Sequence, residues 1–119
     1  MLKMTTGTIL SIAGFVLVLG AARPASAAGQ DDAVKKGEQV YAAQKCATCH
    51  SVAGKGSKRA PLDGVGKKLS ADEIKAWIVT PKEMTAKTKS TKKPVMPDKY
   101  SKLPAADIDA LVAYMQSLK

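Results

Sequence analysis

Apolar positions are distributed in two unlike ways along the 119 residues. Before residue 23 they form a nearly solid block centred on Ile9 to Leu19; after residue 31 they recur at helical spacing between polar stretches. In the second region Val34, Gly37, Val40, Tyr41 and Gln44 fall at i, i+3, i+6, i+7 and i+10. That spacing marks one face of a helix from Asp31 to about Lys45, with acids Asp31 and Asp32 at its start, where the helix dipole favours them. Gly37 in its middle costs roughly 1 kcal/mol relative to alanine, so close approach by another element is expected there. Residues 51–68 carry Gly54, Gly56, Pro61, Gly64 and Gly66 and read as an irregular loop. Ser70 and Glu73 fit a capping box opening a second helix, with Ile74, Trp77 and Ile78 on its apolar face and its end before Pro81. Residues 81–100, with Pro81, Pro94, Pro97 and six lysines, read as loop again. Pro104 opens a last helix, in which Ile108, Leu111, Val112, Met115 and Leu118 recur. Strand signals, internal repeats and a second domain are absent from the pattern, and the expected fold class is all-α and loop-rich.

The leading block has its own logic. Lys3 is followed by an uncharged stretch from Met4 to Ala22 and then by Ala25-Ser26-Ala27, a positive end, an apolar middle and a small-x-small cleavage site. This predicts a secretory signal peptide over residues 1–27, with 28–119 as one domain. A retained membrane anchor is the competing reading, because the stretch approaches the roughly 20 residues that span a bilayer. Thr5 to Thr8 dilute the run and the cleavage site follows in the right place, so a periplasmic protein with no stable membrane insertion after signal cleavage is expected.

Charge narrows the partners. The full chain carries +9, and losing Lys3 and Arg23 with the signal leaves 17 basic against 10 acidic residues. Nucleic acid is excluded as the explanation, since an exported protein does not meet the genome and the few aromatics are not interleaved with the lysines as stacking platforms. Acidic protein surfaces are the expected partners. Anionic lipid headgroups fit less well, because the lysines lie in loop-like sequence and not along an amphipathic helix.

After cleavage 92 residues remain, with Tyr41, Trp77, Tyr100 and Tyr114 as their only aromatics. A domain that small usually needs a staple. Its two cysteines, Cys46 and Cys49, are three apart, so a disulfide between them would close too short a loop to restrict the unfolded chain much.

Those cysteines belong to Cys46-Ala47-Thr48-Cys49-His50, a C-x-x-C-H sequence directly after the first predicted helix. In an exported chain this is the attachment signal of c-type haem. A helical turn places both thiols beneath the two vinyl groups of one porphyrin and brings the next residue's imidazole under the iron. A closed zinc site would need a fourth ligand that a chain with two cysteines and one histidine does not offer as a second pair. A dithiol redox site would want the strand–helix alternation of a thioredoxin-like unit. A plain disulfide beside a surface histidine is the remaining reading. Haem also answers the core deficit, because a porphyrin is a large apolar body around which a thin chain can wrap.

With one histidine in the chain, ligation of the iron by two histidines is excluded and methionine is the natural second ligand. Met115 lies on the apolar face of the last helix, where core packing accounts for it. Met84 falls in the lysine-rich segment as a reserve candidate. Met96, in Pro94-Val95-Met96-Pro97, is the favoured ligand, because flanking prolines restrict the backbone and hold the thioether with little entropy left to lose.

On these residues the chain from 31 to 119 resembles a class I c-type cytochrome, a small soluble monohaem carrier with His/Met ligation. The resemblance implies three or more helices wrapped around one covalently attached haem. It implies that Gly37 and Tyr41 on the first helix cross the last helix at Leu111 and Tyr114. It places Pro61 and Leu62 at a haem-loop pair whose proline carbonyl accepts the Nδ1–H of His50, makes Met96-Pro97 the axial methionine with its following proline, and puts Trp77 near the porphyrin.

Two axial ligands leave the iron no open position, so outer-sphere electron transfer without catalytic residues is expected, not enzymatic turnover. Lys89, Lys92, Lys93 and Lys99 flank Met96, and Lys55, Lys58 and Arg59 follow His50, so both loops are placed to steer acidic redox partners. A monomeric, diffusible periplasmic carrier is the leading expectation. A dedicated cytochrome c subunit of a periplasmic dehydrogenase complex is the alternative, and a five-coordinate enzyme or gas sensor follows if Met96 does not bind.

Overall fold

The two longest helices meet at Gly37. A computed structural model describes residues 25–119, and there α1 (Ala25–Ala43) packs along α5 (Ala105–Ser117). A β-carbon built on Gly37 would collide with the Ala110 carbonyl oxygen and stand 2.6 Å from Tyr114 Cβ, so the backbone approach inferred from the cost of this glycine is present. The same crossing brings Tyr41 edge-on to Tyr114, with ring centroids 5.6 Å apart, a favoured aromatic geometry. Val40, Tyr41, Ile108, Leu111, Tyr114 and Met115 form the buried seam between the helices, and Ile74 and Ile78 extend it.

The first helix differs from expectation at its start. Its described part already runs from Ala25, so Asp31 and Asp32 lie within it and not in its first turn. Residues 1–24, most of the segment 1–27 expected to be a signal peptide, lie outside the described residues. Among the described residues no helix is long and apolar enough to cross a membrane.

The segment read as an irregular loop carries three short strands. β1 (His50–Val52) pairs antiparallel with β2 (Lys55–Gly56) and parallel with β3 (Ala60–Pro61), giving the order β2-β1-β3. Strands of two or three residues are too short for an alternating apolar pattern, so periodicity gives no sign of them. A single turn, α2 (Val65–Lys68), leads to α3 (Ala71–Val79).

α3 opens as expected. The Ser70 hydroxyl accepts the Glu73 N–H at 3.2 Å, and the Glu73 carboxylate accepts the Ser70 N–H at 2.8 Å. That second bond, from the Ser70 backbone, holds the Glu73 carboxyl below the usual carboxylate range. Because the folded value is the lower one, the bond contributes in full above the ordinary carboxylate range and is lost as pH falls through the depressed value. Ser70→Ala is expected to cost about 1 kcal/mol, which thermal unfolding should register as a fall of roughly 4–8 °C in a domain of this size.

The proline that ends α3 begins another helix. Residues 81–100 were expected to be loop, yet Pro81–Thr88 form α4 with Pro81 in its first turn, where a missing N–H costs nothing. Only Pro81 and Met84 of this helix are buried, so its apolar stripe is too narrow to register as a period. A 3₁₀ segment (Asp98–Lys102) follows before Pro104 caps α5. The framework is helical, as expected, with the small sheet added at the site.

Candidate functional site

α1 ends at Ala43, and Lys45, at φ 55°, turns the chain into a 3₁₀ turn at Cys46–Thr48. The Thr48 and Cys49 amides donate to the carbonyls of Lys45 and Cys46, each at 3.1 Å, which winds the pentapeptide tightly. Cys46, Cys49 and His50 thereby line one cavity of about 720 Å³, within the range of roughly 300–1,000 Å³ usual for cofactor sites. α3 supplies Ile74, Trp77 and Ile78 to the same cavity, and α5 supplies Leu111 and Met115.

Both cysteines are free and half-buried. Burial pushes the Cys46 thiol above its ordinary pKa, with the neighbouring Cys49 adding to the shift. A neutral, desolvated thiol is a poor dithiol reagent. Among the described residues no group of three or more His, Cys, Asp or Glu side chains could hold a metal ion, which leaves the zinc reading without a ligand set.

His50 sits at the head of β1 with its Nδ1 2.8 Å from the Ala60 carbonyl oxygen. A carbonyl can only accept, so this bond fixes the proton on Nδ1 and leaves the Nε2 lone pair for a metal. The resemblance had assigned the acceptor to Pro61, and the structure corrects it by one residue. Parallel pairing sets His50 level with Ala60 and Ser51 level with Pro61, so the Ala60 carbonyl is the one beside the imidazole. Pro61 is exposed and does not line the cavity, whereas Leu62, which donates its N–H to the Ser51 carbonyl at 2.8 Å, does.

The three methionines among the described residues separate cleanly. Met96 is half-buried and lines the cavity with Pro94, Val95 and Pro97. Met115 lines it from α5 while packed in the core. Met84, expected as a loop residue and reserve ligand, is buried on α4 and is not part of the cavity wall.

Charge at the site has one sign. Lys45, Lys92 and Lys99 line the cavity, and among its described lining residues there is no Asp or Glu. Lys99 lies over the Tyr100 ring, 5.1 Å from its centroid, and Lys92 Nζ reaches the Arg59 carbonyl at 3.4 Å, which joins the two loops named above. By contrast Lys36, Lys75 and Lys82 pair with Asp107, Asp109 and Asp98 elsewhere on the surface. The Tyr41 hydroxyl is buried without a hydrogen-bond partner, and burial pushes its pKa up to about 12, so it stays a neutral donor.

The pattern gives no sign of several of these groups. Ala60 acts through its backbone, which carries no sequence signature. Lys45 and Tyr100 stand one residue before Cys46 and four after Met96, and that proximity is the only signal either offers.

An apolar cavity with two thiols, an imidazole presenting Nε2, a thioether and a lysine-bearing rim fits a large, flat, mostly apolar ring with acidic substituents. Fold and site together define a helical protein that carries haem c covalently. The chain matches the family described as Cytochrome c over residues 34–119, and it belongs to that family. It is 43% identical over 65 residues to cytochrome c-555 of Methylococcus capsulatus (strain Bath), an alignment covering 53% of each chain. The chain thus spans about half the length of that curated relative. No solved structure matches it significantly. Family membership brings the covalently attached haem c with its iron, on a C-x-x-C-H motif that Cys46, Cys49 and His50 supply.

Proposed function

We propose that this protein is a diffusible periplasmic carrier that moves single electrons between protein redox partners. The observation that carries the reading is the convergence of Cys46, Cys49, His50 and Met96 on one apolar cavity whose described lining residues include no carboxylate. Haem c, when bound, supplies a metal that gains and loses one electron without a change of ligands. The chain's residues do the rest. Cys46 and Cys49 would anchor the group through thioether bonds, His50 would ligate the iron through Nε2 while Ala60 holds its other nitrogen, and Met96 would offer its thioether as a second protein ligand. Thioether ligation and an apolar, desolvated wall both favour the reduced state, so the potential is raised.

Lys45, Lys92 and Lys99 at the cavity, with Lys55, Lys58, Arg59, Lys89 and Lys93 on the adjoining loops, form the surface that receives acidic partners. Electron transfer with an acidic protein partner is expected to slow by tenfold or more as salt rises from about 10 mM to about 0.5 M, because such steering is worth roughly 10–10³ in rate and is screened within a Debye length. Stopped-flow rates across that range test it, and a salt-independent rate removes the docking role. Recovery as a free monomer supports the carrier, while a salt-resistant complex on purification supports a dedicated dehydrogenase subunit instead.

A further inference from the structure

The backbone of His50 is gripped as firmly as its ring. The Ser57 N–H is shared between two carbonyls of the attachment pentapeptide, Ala47 at 3.0 Å and His50 at 2.9 Å. Gly56 precedes it at φ 106°, in the region that favours glycine, paired with Ser51 across the β1–β2 ladder. A β-carbon on Gly56 would collide with the His50 carbonyl oxygen and lie 3.1 Å from the Ala47 carbonyl oxygen and 3.2 Å from Ala47 Cβ. On its other edge β1 pairs with β3, whose Ala60 carbonyl holds the imidazole Nδ1. Main chain and ring of His50 are therefore tied to opposite edges of the same three-stranded sheet.

We propose that Gly56 and the Ser57 amide clamp the His50 carbonyl and so set the orientation of the imidazole, which makes Gly56 a positioning residue for the axial ligand. The inference rests on His50 being that ligand. Any side chain at 56 displaces the His50 carbonyl, and with the ring nitrogen anchored to Ala60 the displacement must be absorbed by rotation of the ring. The direction of the Nε2 lone pair changes with it, and so does the balance between the two oxidation states.

Gly54 provides the control. It also has a positive φ, 76°, but a β-carbon there meets nothing within 4 Å. Alanine at either position carries backbone strain and lowers stability; only Gly56→Ala touches His50. Wild-type, Gly54→Ala and Gly56→Ala holoproteins should be titrated against a redox buffer without any partner, with urea unfolding alongside. The expected result is that both variants unfold at lower urea, while Gly56→Ala alone changes the ratio of reduced to oxidised protein at fixed solution potential by threefold or more. An unchanged ratio in Gly56→Ala, or an equal change in Gly54→Ala, overturns the clamp. If Gly56→Ala does not accumulate, hydrogen exchange on the wild-type holoprotein decides: the Ser57 amide should exchange at least a hundredfold more slowly than the Gly54 amide, and equal rates overturn the proposal. A wild-type protein without a histidine-ligated haem would instead remove the functional reading itself.

Discussion

Met96→Ala is expected to lower the reduction potential by on the order of 100 mV, a modest part of the roughly 0.8 V that axial ligands span, and to open the iron to carbon monoxide in the ferrous protein. Soft thioether sulfur favours the reduced state, and water or a vacant position in its place does not. The weak Fe–S charge-transfer band of the oxidised protein should vanish with it. Met84→Ala supplies the contrast, because Met84 is buried on α4 away from the cavity. It should cost about 2–5 kcal/mol as a buried methionine truncated to alanine, while band and potential stay in place. Redox titration and visible spectra of both variants check the pair, and loss of the band in the Met84 variant alone would transfer the ligand assignment.

Gly37→Ala should be the most destabilising of the small substitutions. In an isolated helix alanine would gain about 1 kcal/mol over glycine. Here the added carbon runs into the Ala110 carbonyl, which is backbone and cannot rotate away, so α1 and α5 must separate. Overpacking of this kind typically costs 1–3 kcal/mol and occasionally more. A rigid backbone neighbour puts Gly37 near the upper end, at about 3 kcal/mol net, or a fall of roughly 12–24 °C in midpoint. The Tyr41–Tyr114 edge contact lies in the same crossing and would loosen too. Gly29→Ala, on the same helix with nothing within 4 Å of the new carbon, should be neutral or slightly stabilising. Thermal unfolding of the two variants checks both, and equal midpoints would mean that the crossing is softer than its contacts indicate.

The parts of this fold that were legible in the sequence are those where burial imposes a period. Val34, Gly37, Val40 and Tyr41 on one helix, and Ile108, Leu111 and Met115 on the other, repeat because each helix buries a continuous stripe. Ser70 and Glu73 were readable because a capping box is local chemistry. The parts that were not legible obey tertiary instead of local rules. β1, β2 and β3 hold His50 of the attachment pentapeptide from both sides, and two or three residues per strand carry no alternation. α4 was hidden by Pro81, which stops one helix and starts the next. At the site itself, Cys46, Cys49 and His50 were legible in their spacing, and the flanking prolines singled out Met96, which the structure brings to the cavity wall. The acceptor for His50 was misplaced from Ala60 to Pro61 because a backbone carbonyl is selected by strand register, which a resemblance carries over only approximately.

Covalent attachment of haem at Cys46 and Cys49 underlies every role assigned to this site. Intact mass and visible spectrum should be recorded on the purified protein after full denaturation in acid and organic solvent. The expected result is a chain that retains its colour and carries the mass of one haem, with both lost when Cys46 and Cys49 are replaced by alanine. A colourless protein that is nonetheless stably folded, or a pigment that washes out of the denatured wild-type chain, would contradict the account.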